Sequence, residues 1–169
     1  MARSFLGIGS NEGDPVRRIE SALRRLPEWG VAVVRSSSLY RTEPVSGPPQ
    51  DWYVNAVAEV ELEGEPAELL RICRSLEALE GRRRLGRNAP RTLDLDVLLF
   101  GALVLDSPEL TVPHPRFRER RFVLVPLVEI APDVRDPVSG LTMRELLSRC
   151  PDRHTVLPLS SEGSVTAAL

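Results

Sequence analysis

Residues 52–62 alternate without a break. Trp52, Val54, Ala56, Ala58, Val60 and Leu62 fall on one side of an extended chain; Tyr53, Asn55, Val57, Glu59 and Glu61 fall on the other. A period of two over this length requires a strand with its apolar side packed inward. The segments around it complete a sheet. Residues 4–8 form a short apolar run, and 31–42 are rich in β-branched residues. Residues 92–100 read as a fourth strand closed by Gly101. Two helical patterns intervene. Asp14-Pro15 opens the first, with Ile19, Ala22, Leu23 and Leu26 at helical spacing to about residue 27. Pro66 opens the second, with Leu69, Leu70, Ile72, Cys73, Leu76 and Leu79 in one stripe to about residue 81. The order β-α-β-β-α-β predicts an α+β fold of the ferredoxin-like kind: an antiparallel sheet with two helices on one face. A C-terminal extension follows. It holds a short strand near 103–105, a helical segment within 116–130, a capping box at Thr142–Glu145 and a weakly patterned tail over 154–169.

The chain has 169 residues and 18.8 kDa, the size of a single domain, with a core expected over about 3–150. No apolar run approaches the ~20 residues of a membrane span. The residues before the first strand lack the pattern of a signal peptide, and Cys73 and Cys150 form no CxxC. A cytoplasmic protein with reduced core cysteines is the expectation. All 22 basic residues are arginine. Without lysine there is no Schiff-base chemistry, no P-loop lysine and no kinase strand lysine. Arginine codons in a GC-rich genome would account for that bias; heat adaptation is the alternative. Two histidines, His114 and His154, argue against a multi-histidine zinc site. A net charge of −2 argues against a nucleic-acid-binding domain.

The arginines are nonetheless clustered. Arg82, Arg83, Arg84, Arg87 and Arg91 lie within one short stretch, and Arg116, Arg118, Arg120 and Arg121 within another. Solvated surface faces would explain them; so would a small polyanion such as a nucleoside triphosphate, because guanidinium forks match phosphate oxygens. Next to the first cluster runs Thr92-Leu93-Asp94-Leu95-Asp96-Val97-Leu98. Aspartates at i and i+2 of a strand share a face, with Cα atoms roughly 6–7 Å apart. At an effective dielectric near 20 two such carboxylates repel by roughly 2.5 kcal/mol. A cation relieves that, and hard oxygen ligands with open positions suit Mg²⁺ shared with substrate phosphates. An exposed strand edge neutralised by arginines is the structural alternative.

Other features are weaker. Gly7-Ile8-Gly9 lacks the next glycine of a dinucleotide loop and reads as a tight strand-to-helix turn. Tyr53 and Asn55 share one strand face and could offer a flat heterocycle an aromatic plane and an amide. His114 lies between two prolines, as a turn residue or a phosphate donor.

The run Arg87-Asn88-Ala89-Pro90-Arg91-Thr92-Leu93-Asp94-Leu95-Asp96-Val97-Leu98 resembles the signature of the 6-hydroxymethyl-7,8-dihydropterin pyrophosphokinase family. Ile8-Gly9-Ser10-Asn11, Tyr40-Arg41-Thr42, Tyr53-Val54-Asn55-Ala56, Leu110 to His114, Arg121 to Leu127 and Glu129 to Pro132 agree with it in order and spacing. The resemblance implies a monomeric ferredoxin-like enzyme of folate biosynthesis. It would move the pyrophosphoryl group of ATP to the pterin hydroxymethyl group and release AMP. Two Mg²⁺ ions bound with ATP would rest on Asp94 and Asp96, with Arg82 and Arg91 as catalytic arginines. Glu77, Arg82, Arg84, Arg91, Val97, Thr111, His114 and Arg120 would meet ATP. Thr42, Val45, Tyr53, Asn55 and Phe122 would meet the pterin. Asn88 stands where many members carry a tryptophan, Arg74 where a glutamine is often found, Leu85 in place of a basic residue, and Glu109 where some members place an arginine. A kinase moving only the γ-phosphate to another small alcohol, and a non-catalytic ligand-binding domain, are the alternatives. The released nucleotide separates the pyrophosphokinase, which yields AMP, from the γ-phosphate kinase, which yields ADP.

Overall fold

A computed structural model describes residues 3–81 and 92–159. In chain order it contains β1 (Ser4–Ser10), α1 (Pro15–Arg25), β2 (Ala32–Ser36), β3 (Tyr40–Thr42), β4 (Tyr53–Glu61), α2 (Pro66–Leu79) and β5 (Asp94–Phe100). The extension adds β6 (Leu105–Asp106), β7 (Thr111–Val112), α3 (Arg121–Ile130), α4 (Met143–Arg149) and β8 (Val156–Pro158). The main sheet runs β5-β1-β4-β3-β8, with β2 also paired to β4 and every pairing antiparallel. This is the α+β, ferredoxin-like order expected from the sequence.

Local chemistry explains where the elements differ from the pattern. The β-branched run 31–42 is two strands. Ser37 donates its N–H to the Val57 carbonyl at 2.8 Å, and its hydroxyl accepts the Val57 N–H at 2.9 Å. One residue takes both ladder positions of Val57, so the chain gains a residue on β4 between the Ser36–Ala58 and Tyr40–Asn55 pairs. Helix α1 ends at Arg25 rather than 27, because Pro27 has no N–H to continue the ladder; a 3₁₀ turn, Leu26–Trp29, follows. Thr142 and Glu145 exchange the expected capping-box bonds at 3.1 and 2.9 Å. Strand β8 lies in the tail read as weakly patterned. Three residues, one of them Pro158 at the sheet's edge, are too few to show a period.

Both faces of the sheet are covered. Helices α1 and α2, with the 3₁₀ turn after α1, pack Ile19, Ala22, Leu26, Leu69, Ile72 and Leu76 against Leu6, Ile8, Val54, Ala56, Ala58 and Val60. On the opposite face Val123, Leu124, Leu127, Met143 and Leu146 of α3 and α4 meet Phe5, Val57 and Leu98. The polar side of β4 therefore lies under a second helical layer. Glu59 is buried on this side, with the Arg35 Nε at 3.0 Å from its carboxylate and Arg3 bonded to its other oxygen. Cys73 and Cys150 are buried and unpaired. Among the described residues no helix is long and apolar enough to cross a membrane.

Candidate active site

The face carrying α3 and α4 is packed at one end only. At the other end the register sets small and polar residues in rows. Gly9 pairs with Asp94 on β5 and with Asn55 on β4; Gly7 pairs with Asp96 and with Val57. Further along, Phe5 and Leu99 pair inside the apolar layer. The glycines leave the floor of a cleft of about 510 Å³ between the acidic pair and Asn55. One wall runs from Thr42, the last residue of β3, to Ser46. The other is His114, Arg116, Arg120 and Phe122, leading into α3.

The floor is oriented by contacts beneath it. Asn55 donates its amide Nδ2 to the Thr42 hydroxyl at 2.7 Å. Its Oδ1 lies over Gly9, where a Cβ would come within 2.4 Å of it. Asn11 reaches from the end of β1 to Gln50 at 2.8 Å and to the Asp51 carbonyl at 3.0 Å, tying two loops beside Tyr53.

The charges interact strongly. Burial, and then the neighbouring charge of Asp94, push the Asp96 carboxyl up to about 7; Arg120 pulls the other way. Burial lowers the Arg120 pKa, while the Asp96 and Asp94 charges raise it. A guanidinium still stays cationic at neutral pH. Its centre lies 5.6 Å from the Phe122 ring centre. Burial and the Arg120 charge push the His114 imidazole down to about 4, so it is neutral at pH 7. The Arg116 N–H donates to His114 Nδ1 at 3.0 Å. Nε2 therefore carries the ring hydrogen, and the side chain is a neutral donor. The His114 N–H also binds the Leu98 carbonyl at 2.9 Å, which fixes this turn to β5.

A sequence model of the 7,8-dihydro-6-hydroxymethylpterin-pyrophosphokinase family matches residues 5–132. The 2-amino-4-hydroxy-6-hydroxymethyldihydropteridine pyrophosphokinase of Methylorubrum extorquens is 43% identical over 150 residues, covering 88% of this chain and 94% of that one. The protein of the same name from Pseudomonas aeruginosa is also 43% identical, covering 88% and 92%.

The chain belongs to this pyrophosphokinase family.

A crystal structure of Plasmodium falciparum HPPK-DHPS shares the fold, with a TM-score of 0.70 at 14% identity over 88% of this chain. This chain spans 43% of that one.

The structure gathers Thr42, Val45, Tyr53, Asn55, Asp94, Asp96, His114, Arg120 and Phe122 around the single cleft just described. Glu77, Val97 and Thr111 are not among the residues lining it. Val97 is buried in the α1–α2 layer, and the Thr111 hydroxyl donates to Asp106 at 3.2 Å. Glu77 is buried, and its carboxylate accepts the Leu95 N–H at 2.8 Å, between the two aspartates. Arg74, the departure noted in α2, pairs with it at 3.2 Å. Glu109 is exposed. Arg82, Arg84 and Arg91, with Leu85 and Asn88, lie outside the described residues.

Gly7 and Gly9 correct the turn reading. They lie within β1, paired on both sides. Glycines at i and i+2 in a strand mark a place where something approaches the backbone closely, and that signal was legible. Glu43, which also lines the cleft, carried no such signal.

Proposed function

We propose that this cleft transfers the pyrophosphoryl group of ATP to the hydroxymethyl group of 6-hydroxymethyl-7,8-dihydropterin, with AMP as the second product. The observation that carries the reading is the union of an acidic pair with an aromatic and amide-bearing floor in one cleft, in a chain of this family. The pterin ring stacks between Tyr53 and Phe122. Asn55 presents Oδ1 to the N–H edge of the ring, because its Nδ2 is committed to Thr42. Thr42 and Val45 border that edge.

Two hard carboxylates on one strand face fit a divalent ion completed by phosphate oxygens and water. Among the described residues no three acidic, histidine or cysteine side chains gather into a closed cage. Asp94 and Asp96 would hold Mg²⁺, two ions bound with ATP, which supply charge neutralisation at the triphosphate and acidify the substrate hydroxyl. Arg120 sets a fixed positive charge across from the aspartates. His114 donates from Nε2 to a phosphate oxygen without adding charge. Arg82, Arg84 and Arg91 are assigned to the triphosphate from their sequence positions. The hydroxymethyl oxygen attacks the β-phosphorus, the bond to the α–β bridging oxygen breaks, and AMP leaves. Nucleotide product analysis with this pterin, with and without Mg²⁺, tests the reading. AMP formed only with Mg²⁺ is expected; ADP would overturn it in favour of γ-phosphate transfer.

A further inference from the structure

The tail after α4 touches both walls of the cleft. Asp152 is nearly buried, with its side chain 6% exposed. Its Oδ2 accepts the Arg121 N–H at 3.0 Å, the first amide of α3. Its Oδ1 accepts the His154 N–H at 2.9 Å and meets His154 Nδ1 at 2.6 Å. Burial alone would raise this carboxyl; the His154 and Arg121 amides outweigh it and hold it below the ordinary carboxylate range. Three residues on, the chain reaches the opposite wall. Glu43 donates its N–H to the Thr155 carbonyl at 3.0 Å, and its carboxylate accepts the Thr155 N–H at 3.0 Å. Val156 then pairs with Thr42 in the sheet.

Arg121 sits between Arg120 and Phe122, both of which line the cleft. The N-cap residue of α3, Arg120, makes no side-chain cap bond. The first amide of α3 is instead held by Asp152, from a segment outside the helix. The same short segment fixes Thr42 and Glu43 on the other wall. It lies beyond residue 132, where the family match ends.

We propose that residues 152–156 are a strap that sets the spacing of the two walls, with Asp152 a positioning residue for Phe122 and Arg120. The proposal rests on the pterin reading of the cleft. Asp152 touches no substrate; it acts through the Arg121 amide. A helix cap with only a structural role would lower thermal stability and leave substrate binding alone. A spacing role weakens pterin binding in protein that remains folded.

The test uses the full chain. Asp152→Ala, Asp152→Asn and Asp152→Glu are titrated with 6-hydroxymethyl-7,8-dihydropterin in the presence of Mg²⁺ and a non-hydrolysable ATP analogue. Melting curves of each variant run beside the titrations. Loss of a charge-assisted bond predicts a roughly five- to tenfold weaker pterin affinity for Asp152→Ala. Asp152→Asn retains an acceptor for the Arg121 N–H and recovers most of the loss. If the alanine variant does not fold, Asp152→Glu carries the test: it keeps the charge, displaces the acceptor and weakens pterin binding. Affinity within twofold of the parent for the folded alanine or glutamate variant overturns the strap. Failure of the parent chain to bind pterin overturns the function reading instead, so the two failures are distinct.

Discussion

Gly9→Ala isolates the floor of the cleft. A Cβ at this position would lie 2.4 Å from Asn55 Oδ1 and 3.4 Å from Asn55 Cγ, whereas the nearest backbone atom, the Val54 carbonyl oxygen, is 3.8 Å away. The first distance is roughly 1 Å inside van der Waals contact. Only the Asn55 carboxamide can give way. To do so it must turn, and its 2.7 Å bond to Thr42 is lost. A hydrogen bond is worth about 1 kcal/mol net, and a buried polar group left unpaired costs about 1–3 kcal/mol. Both Asn55 and Thr42 are buried. Since about 1.4 kcal/mol is a factor of ten, pterin affinity should fall roughly ten- to a hundredfold. The fold should persist, since no backbone atom clashes. Gly7→Ala is the comparison on the same floor: the atoms nearest its Cβ belong to Leu98, from 3.5 Å, an ordinary contact, so Asn55 keeps its orientation and the affinity should fall less. Calorimetric titration with pterin, with a thermal melt of each variant, gives both numbers. Pterin affinity within twofold of the parent in Gly9→Ala would refute the claim that Asn55 reads the ring from a fixed orientation.

Other expectations concern charge. Asp96→Ala should keep the fold and lose nearly all turnover; normal activity would remove the acidic pair from the site. With the Asp96 carboxyl raised to about 7, a cation must displace a proton below that pH. Apparent Mg²⁺ affinity should therefore fall by up to about tenfold per unit below pH 7 and level off above it, and a pH-independent affinity would contradict this. Asp136 is fully buried, and though burial raises it, bonds from Arg118, Val138 and Ser139 hold it at about 2. A depressed carboxyl stabilises the fold above its unfolded value of 3.8 and loses that contribution as pH falls toward 2. The contribution is about 2 kcal/mol, so Asp136→Asn should flatten the acid limb of the stability curve. Glu77→Ala should unpair the Leu95 N–H and impair catalysis, whereas Glu77→Gln keeps an acceptor there and should restore it; equal activity in both would make the Leu95 bond irrelevant.

The core was legible in the sequence where one period ran long enough to dominate. Residues 52–62 and the stripes of α1 and α2 declared a face each, and those faces meet. What the pattern left out was imposed from a distance. Glu59 falls on the polar side of β4, and alternation reports polarity, not cover. The cover comes from α3 and α4, far along the chain, and Glu59 is tolerated beneath it because Arg3 and Arg35 reach in. Likewise Ser37 splits a uniform β-branched run because its hydroxyl stands in for a backbone group, which no propensity at that position announces.

The site follows from a change of composition along one face of the sheet. On β1, Phe5 gives way to Gly7 and Gly9; on β5, Leu98 gives way to Asp96 and Asp94; on β4, Val57 gives way to Asn55 and Tyr53. Each strand alone looks like an ordinary strand with an odd residue. Only the register shows that the odd residues are neighbours, since antiparallel pairing sets the start of β5 beside the end of β1. The acidic pair could be found from sequence because i and i+2 encode one face locally. The glycine floor needed the partner strands, and Asp152 needed a contact across 31 residues with the Arg121 amide. Legibility thus fell with the sequence distance over which a contact closes. The parts that carry charge were nearby in sequence, and the parts that aim them were not.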